Sequence, residues 1–310
     1  MIRFENVGKS FGATRALDGV SFEIAEGAFC ALLGPSGCGK STLLRMINVM
    51  VEPDQGRVLL RGADVARLDP VALRRSIGYC IQSVGLFPHW SVRDNIAATP
   101  RLLGWSRARV AARIDEVCAA LGVDEALLSR RPRELSGGQQ QRVGVARALA
   151  ADPDLLLMDE PFSALDPVSR AALQAETRRL RRDGGKTIVF VTHDVDEATS
   201  LATQIAVLNA GRLVQSAAPA DMLSRPADAF VADFLDVERR PQRLLDLIPV
   251  ADRLRPFRGV PGPALRKDAS LREALDMMIA RHVTVLPVAD EFGAPCGEIL
   301  LSDVAAGPRP

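Results

Sequence analysis

Residues 28–42 read Ala28-Phe29-Cys30-Ala31-Leu32-Leu33-Gly34-Pro35-Ser36-Gly37-Cys38-Gly39-Lys40-Ser41-Thr42, and this stretch decides the fold. The apolar run before Gly34 fits a strand buried on both faces. From Gly34 the residues fit G-x-x-x-x-G-K-[ST], and a helical spacing of Leu43, Leu44 and Ile47 comes next. Strand, glycine-rich turn and helix in that order are the context of a phosphate-binding loop. The glycines let backbone N–H groups converge on phosphate oxygens, and the helix N-terminus adds its positive dipole end. Lys40 then contacts the β- and γ-phosphates, and the Ser41 hydroxyl ligates Mg²⁺. Lysine is rare here: Lys9, Lys40, Lys186 and Lys267 stand against 39 − 4 = 35 arginines. A lysine in this loop therefore stands out.

Working outward, Val20, Phe22 and Ile24 alternate with polar residues as a half-buried strand does. Buried-strand patterns recur at 77–81, 155–158, 187–191 and 205–208, separated by helix-length segments. This predicts an α/β sheet covered by helices on both faces. Between about 85 and 150 helical spacing takes over (Val92, Ile96; Val110, Ile114, Val117, Leu121; Val143, Ala146, Leu149), which reads as an inserted helical subdomain. The first domain is expected to run over 1–235. Residues 236–259, rich in proline and arginine, read as a linker. Residues 260–310 read as a small α+β unit. In it Ser270 caps a helix bearing Leu271, Ala274, Leu275 and Met278, and strands lie at 283–288 and 299–301.

The chain has 310 residues, about two domains' worth. Lys plus Arg number 39 and Asp plus Glu 38, and this balance argues against binding nucleic acid or an anionic surface through a field of one sign. Five widely spaced cysteines without a C-x-x-C pair predict reduced thiols rather than a disulfide framework or a zinc site. No signal peptide and no spanning apolar segment of ~18 residues is visible. If membranes matter, a partner supplies the span.

Two further segments carry chemistry. The apolar run 155–158 ends in Asp159 and Glu160. An acid at such a strand end holds Mg²⁺, the role expected of Asp159, and Glu160 can polarise the attacking water as general base. Leu135-Ser136-Gly137-Gly138-Gln139-Gln140-Gln141-Arg142 offers a second anion site at a helix start, superfluous to one triphosphate unless it serves a neighbouring copy.

This last segment resembles the signature of ATP-binding-cassette (ABC) ATPases, and the rest of their pattern is present in order over about residues 1–235. Phe11 matches the adenine-stacking position, Gln82 the Q-loop, Ser163-Ala-Leu-Asp166 the D-loop and His193 the switch histidine, flanked by Thr192 and Asp194. The resemblance implies a P-loop core with a mixed sheet, an antiparallel edge subdomain and an inserted helical subdomain. It implies a head-to-tail homodimer holding ATP and Mg²⁺ between one chain's phosphate loop and the other's signature. Phe11 and the loop from Gly34 to Thr42 would contact nucleotide on one side. Ser136, Gly137, Gly138, Gln139 and Asp166 would close the site from the other. Ser41, Asp159 and Gln82 would serve Mg²⁺, and Glu160, His193 and Gln82 would serve hydrolysis. Phe11 stands where Tyr is commoner and keeps the stacking face.

The stretch Leu86-Phe87-Pro88-His89-Trp90 through Asn95, with Thr99 to Trp105, looks like the ATPases of osmoprotectant importers, which take up glycine betaine, choline and related quaternary amines. That likeness implies two permease subunits gripping the surface around Leu86–Trp90, a solute-binding protein reached indirectly, and a peripheral position on the cytoplasmic face of the cell membrane. Segments 268–275, 285–290 and 297–303 resemble one cystathionine-β-synthase-type (CBS) repeat, where such importers usually carry a tandem pair. Ligand sensing and simple packing both remain open for this tail. Rival readings are an importer ATPase for amino acids or another small polar solute, a soluble cassette acting on DNA or ribosomes, and a regulatory module. No coiled-coil insertion and only one phosphate loop argue against the soluble cassette, and retention of Lys40 and Glu160 argues against the regulatory module.

Overall fold

A computed structural model describes residues 1–82, 85–163, 165–235 and 240–305. The described chain divides into two compact units, 1–218 and 219–310.

The first unit holds two sheets. Strands β1 (Ile2–Phe11), β2 (Thr14–Ile24), β4 (Gln55–Leu60) and β5 (Ala63–Asp64) form an antiparallel sheet in the order β2-β1-β4-β5. A second sheet runs β10-β9-β3-β8-β7-β6, from β3 (Phe29–Leu33), β6 (Ile77–Cys80), β7 (Leu155–Asp159), β8 (Thr187–Thr192), β9 (Gln204–Asn209) and β10 (Arg212–Ala217). Its strands are parallel except β10, which joins β9 antiparallel at the edge. The mixed sheet and the antiparallel subdomain are what the resemblance implies. β3, β7 and β8 are buried at every residue, as parallel strands with both faces covered must be. β2 alternates buried Val20, Phe22 and Ile24 with exposed Ser21 and Glu23, because only one of its faces meets the core.

Helix α1 (Lys40–Ile47) packs between the sheets. Leu43, Leu44, Met46 and Ile47 join Ile2, Phe4 and Val20 from one side and Leu32, Leu157 and Val189 from the other. Phe4 stacks on Phe22 with ring centres 4.8 Å apart. The opposite face of the sheet carries Phe29, Phe190 and Phe162 in successive ring contacts. Burial of each large side chain contributes about 1.5–3 kcal/mol, so this double-faced core fixes the ends of β3 and β7, where the chemistry sits.

Helix α2 (Pro70–Ser76) precedes β6. The inserted helical region is α3 (Val92–Leu102), α4 (Arg107–Leu121) and α5 (Gly137–Leu149), capped at their N-termini by Ser91, Ser106 and Ser136. All nine apolar residues whose spacing predicts these helices are buried. Helices α6 (Pro167–Gly184) and α7 (Val195–Leu201) flank β8.

The second unit begins with α8 (Pro219–Ser224) and α9 (Ala229–Phe234), so these helices group with the tail rather than ending the first domain at 235. Residues 240–247, expected within a linker, form α10 (Arg240–Leu247). Leu245, Ile248, Val250 and Leu254 pack into the tail's own core with Leu271, Met278, Leu286 and Ile299. Leu245, in the last turn of α10, and Ile248, just past its end, both pack against this core, a pattern that the surrounding proline and arginine obscure. Strand β11 (Leu265–Arg266) lies parallel to β12 (Val285–Ala289), and β13 (Pro295–Leu300) lies antiparallel to β12. Between β11 and β12, α11 (Leu271–Arg281) is capped by Ser270 with Glu273 in a reciprocal box, and α12 (Leu301–Ala305) closes the described chain.

Candidate functional site

The phosphate loop leaves β3 and enters α1 with backbone angles that L side chains avoid. Gly34 has φ +148°, and a Cβ there would stand 2.2 Å from the Leu208 carbonyl oxygen. Gly37 has φ +79°, and a Cβ there would meet nothing within 4 Å, so this side of the loop faces open space. Lys40, 6% exposed, donates from Nζ to the carbonyls of Gly34 at 2.6 Å and Pro35 at 2.8 Å. The loop's own acceptors thus pre-position the ammonium. Cys38 Sγ lies 3.8 Å from the same Nζ; burial pushes its thiol up despite the neighbouring cation.

Ser41, one residue on, donates its hydroxyl to Asp159 Oδ1 at 2.7 Å. Asp159 is fully buried, and Arg45 Nη2 reaches its other oxygen at 3.3 Å. A hydroxyl and a buried carboxylate in contact are hard oxygen donors, the chemistry Mg²⁺ takes when phosphates and water fill its remaining positions. These residues fit such an ion.

Glu160 comes next, at the strand end, with φ +49°, a conformation that costs a non-glycine residue about 1 kcal/mol or more. Its N–H donates to the Val191 carbonyl, so the turn is tied to β8. Gln82 Nε2 donates to Glu160 Oε2 at 3.3 Å, and His193 Nδ1 lies 3.7 Å from Oε1. Two sequence-distant residues therefore converge on one carboxylate. Beside it is a cavity of about 50 Å³ lined by Glu160, Ser163, Thr192, His193 and Asp194, among others. That is room for a water molecule among polar partners.

The His193 turn is braced on both sides. Asp194 N–H donates to Thr192 Oγ1, which donates in turn to Glu197 Oε2 at 2.6 Å. Asp194 also caps α7 through the N–H groups of Asp196 and Glu197. Burial pushes the Glu197 carboxyl above the usual carboxylate range. Arg45 and Glu197 bear on the site yet carry no sequence signal, because each acts through a tertiary contact rather than a motif.

The remaining expected residues lie elsewhere on the unit. Ser136 caps α5, accepting from Gln139 N–H at 3.3 Å while Gln139 Oε1 accepts from Ser136 N–H at 2.9 Å. Gly137 and Gly138 form the first turn, and a Cβ at Gly138 would stand 2.9 Å from Ser169 Oγ on α6. Asp166 caps α6 through Val168 and Ser169, and hydrogen bonds from Ser169 above all hold its carboxyl below the usual range. Among the described residues no hydrogen bond joins Ser136 or Gly138 to the phosphate loop. The structure thus brings together Lys40, Ser41, Asp159, Glu160, Gln82 and His193, and leaves the signature outside that set. Phe11 is 51% exposed at the end of β1, with Lys9 Nζ 5.6 Å from its ring centre. Ala164, within the D-loop segment, lies outside the described residues.

Phe87 and Trp90, both exposed, pack their rings 4.4 Å apart. Beneath them the fully buried Asn95 accepts from Phe87 N–H at 2.7 Å and donates to the carbonyls of Phe87 at 3.2 Å and Ser91 at 2.9 Å. Among the described residues no helix is long and apolar enough to cross a membrane.

Comparison with known proteins agrees with this geometry. Residues 17–163 match the family model described as ABC transporter. The chain is 51% identical over 304 residues to the glycine betaine uptake system ATP-binding protein YehX of Escherichia coli, covering 98% of this chain and 99% of that one. It is 44% identical to the glycine betaine/carnitine/choline transport ATP-binding protein OpuCA of Bacillus subtilis, covering 94% and 76%. ATP-binding proteins for spermidine/putrescine and sulfate/thiosulfate import match over only 76% and 77% of this chain. Among solved structures, the dimeric post-hydrolysis state of the ATP-binding cassette MJ0796 bound to ADP and Pi superimposes with a TM-score of 0.66 and 32% identity, over 71% of this chain and 99% of that one. A phosphate loop facing a buried acid, a carboxylate shared by Gln82 and His193, and this likeness along the whole chain make it an ATP-binding protein of the ABC transporter family.

Proposed function

We propose that this chain is the ATP-hydrolysing subunit of an importer for quaternary-amine osmoprotectants such as glycine betaine, choline or carnitine. The observation that carries the solute class is the extent of the likeness. Betaine and choline relatives match through the tail, over 94–98% of the chain, whereas polyamine and sulfate relatives match about three quarters of it.

In this reading the Lys40 ammonium and the loop amides bind the β- and γ-phosphates, and Phe11 stacks on the adenine. Ser41 and Asp159, with Gln82, would hold Mg²⁺, and the ion would supply positive charge against that developing on the phosphates. Glu160 takes a proton from the water that attacks the γ-phosphorus; the bond to the ADP oxygen breaks, and ADP and phosphate leave. Gln82 and His193 hold the Glu160 carboxylate in place, and His193, exposed, orients the γ-phosphate. Ser136 and Gly138 serve the ATP of a second copy, since in one chain they stand apart from its own phosphate loop. Asp166 couples the two sites.

Phe87 and Trp90 receive a permease subunit, an aromatic anchor of the kind found at interface hot spots. The chain then lies peripherally on the membrane, held by those subunits. The tail, with one β11-α11-β12-β13-α12 unit, is a single CBS-like repeat. The test is uptake. Cells dependent on this chain should accumulate labelled glycine betaine, choline or carnitine, and Lys40→Ala should abolish that uptake. Loss of amino-acid uptake with betaine uptake intact would assign the chain to a different importer.

A further inference from the structure

Helix α5 grips the chain on both sides of Gln82. Before it, Gln141 Nε2 reaches Cys80 Sγ at 3.8 Å. After it, Arg147 Nη1 donates to the Gly85 carbonyl at 2.6 Å, and the guanidinium carbon stands 5.9 Å from the centre of the Phe87 ring. Phe87 in turn packs on Trp90 and shares Asn95 with the backbone of the 87–91 loop. The same helix begins at Ser136 and Gly137, where the signature lies. Ten residues of α-helix separate Gly137 from Arg147, about 15 Å of stiff rod at 1.5 Å per residue. Arg147 is half-buried, and burial lowers the pKa of its guanidinium from the usual arginine value.

We propose that Arg147 is a positioning residue that makes α5 and the 85–90 loop move as one body, so that displacement of Phe87 and Trp90 by a partner is delivered to Gln82 and to the signature end of the helix, and nucleotide engagement at the signature is delivered back to the loop. This rests on the reading of Phe87 and Trp90 as the docking anchor. A fork is needed: one nitrogen holds the Gly85 carbonyl while the guanidinium carbon stays 5.9 Å from the centre of the Phe87 ring, and a lysine, with a single ammonium, cannot do both. Coupling of this kind is reciprocal, so it can be read from either end.

The experiment uses the full-length chain carrying Trp105→Phe, which leaves Trp90 as its single tryptophan. Acrylamide quenching of Trp90 is measured before and after saturation with Mg²⁺ and a non-hydrolysable ATP analogue. The nucleotide should change the quenching constant, and Arg147→Gln should reduce that change about fivefold or more, the scale of a typical coupling. Arg147→Lys keeps the charge but loses the fork and should reduce it nearly as much, with ATP affinity unaltered in both. A nucleotide response of parental size in Arg147→Lys overturns the proposal, and so does a parent that shows no response. Should Arg147→Gln fail to fold, the parent and the lysine variant still decide. Retention of Phe87→Asp by the permease subunits on co-purification would remove the docking reading, while the quenching result, which needs no permease, would still judge Arg147.

Discussion

Ser41 donates its hydroxyl to the buried Asp159 carboxylate across 2.7 Å, although 118 residues separate them in the chain. The contact joins two motifs that lie far apart along the sequence. It arises because β3 and β7 both pair with β8 and end at the same edge of the sheet, so the residues after each strand meet there.

Removal of the loop lysine should be felt in binding first. Lys40 already sits on two loop carbonyls, so little ordering is left for the ligand to supply. Each hydrogen bond to a charged group contributes about 1.5–3 kcal/mol, and loss of two corresponds to ~10² or more in affinity. Calorimetry of Lys40→Ala with ATP and Mg²⁺ checks this. Parental affinity would refute the phosphate-loop assignment.

Glu160→Gln keeps the size of the side chain and an acceptor for Gln82, and removes the base. ATP should bind as before while turnover falls roughly 10²–10⁴-fold, and a dimer loaded with ATP should accumulate on gel filtration. Undiminished phosphate release would move the base elsewhere, with His193 the next residue to test.

Asn95→Ala should loosen the docking loop without touching the nucleotide. The Phe87 N–H loses its partner, whereas the Phe87 and Ser91 carbonyls keep the backbone N–H groups of residues 90 and 95, and an unmade buried bond costs about 1–3 kcal/mol. A lower denaturant midpoint with unaltered ATP affinity, and weaker retention by permease subunits, is the expected pattern. Full retention would mean that the loop is held by other contacts.

The thiols give a pH prediction. Burial pushes Cys80 to about 12 and Cys118 to about 11, and raises Cys30 and Cys38 as well. An unfolded thiol ionises near ~8.5. Above that pH the unfolded chain releases protons that the folded chain keeps, so stability is undiminished below about 8.5 and declines as pH rises toward the folded values. Native protein at pH 8 should also react with iodoacetamide at the exposed Cys296 alone, and at the four buried cysteines only on unfolding. Early labelling of Cys80 would contradict its burial against α5.

Much of the first unit is legible in the sequence because its information is contiguous. The run through Leu33 and Gly34, the acids after Met158 and the spacing of Val110, Ile114 and Val117 each state a strand end, a site or a helix face within a few residues. Arg147 to Gly85 and Asn95 to Phe87 are side-chain bonds to backbone carbonyls and amides, and such partners leave no trace in residue type. The segment 240–254 misleads for another reason. Leu245, Ile248 and Val250 are few, and proline and arginine around them read as a connection, yet a unit this small needs each of them in its core.

Gly34 and Gly37 share a loop and a forbidden side of backbone space, but they fail differently. A methyl at Gly34 would collide with the Leu208 carbonyl and force the end of β3 away from β9, so the lesion would register in the empty protein as misfolding. A methyl at Gly37 would meet no atom of the chain and would cost only the strain of its positive φ, about 1–2 kcal/mol, until a triphosphate arrived. One loop therefore divides its defects into two kinds: chains that fail to fold, and chains that fold, keep every outer surface unchanged and do no work.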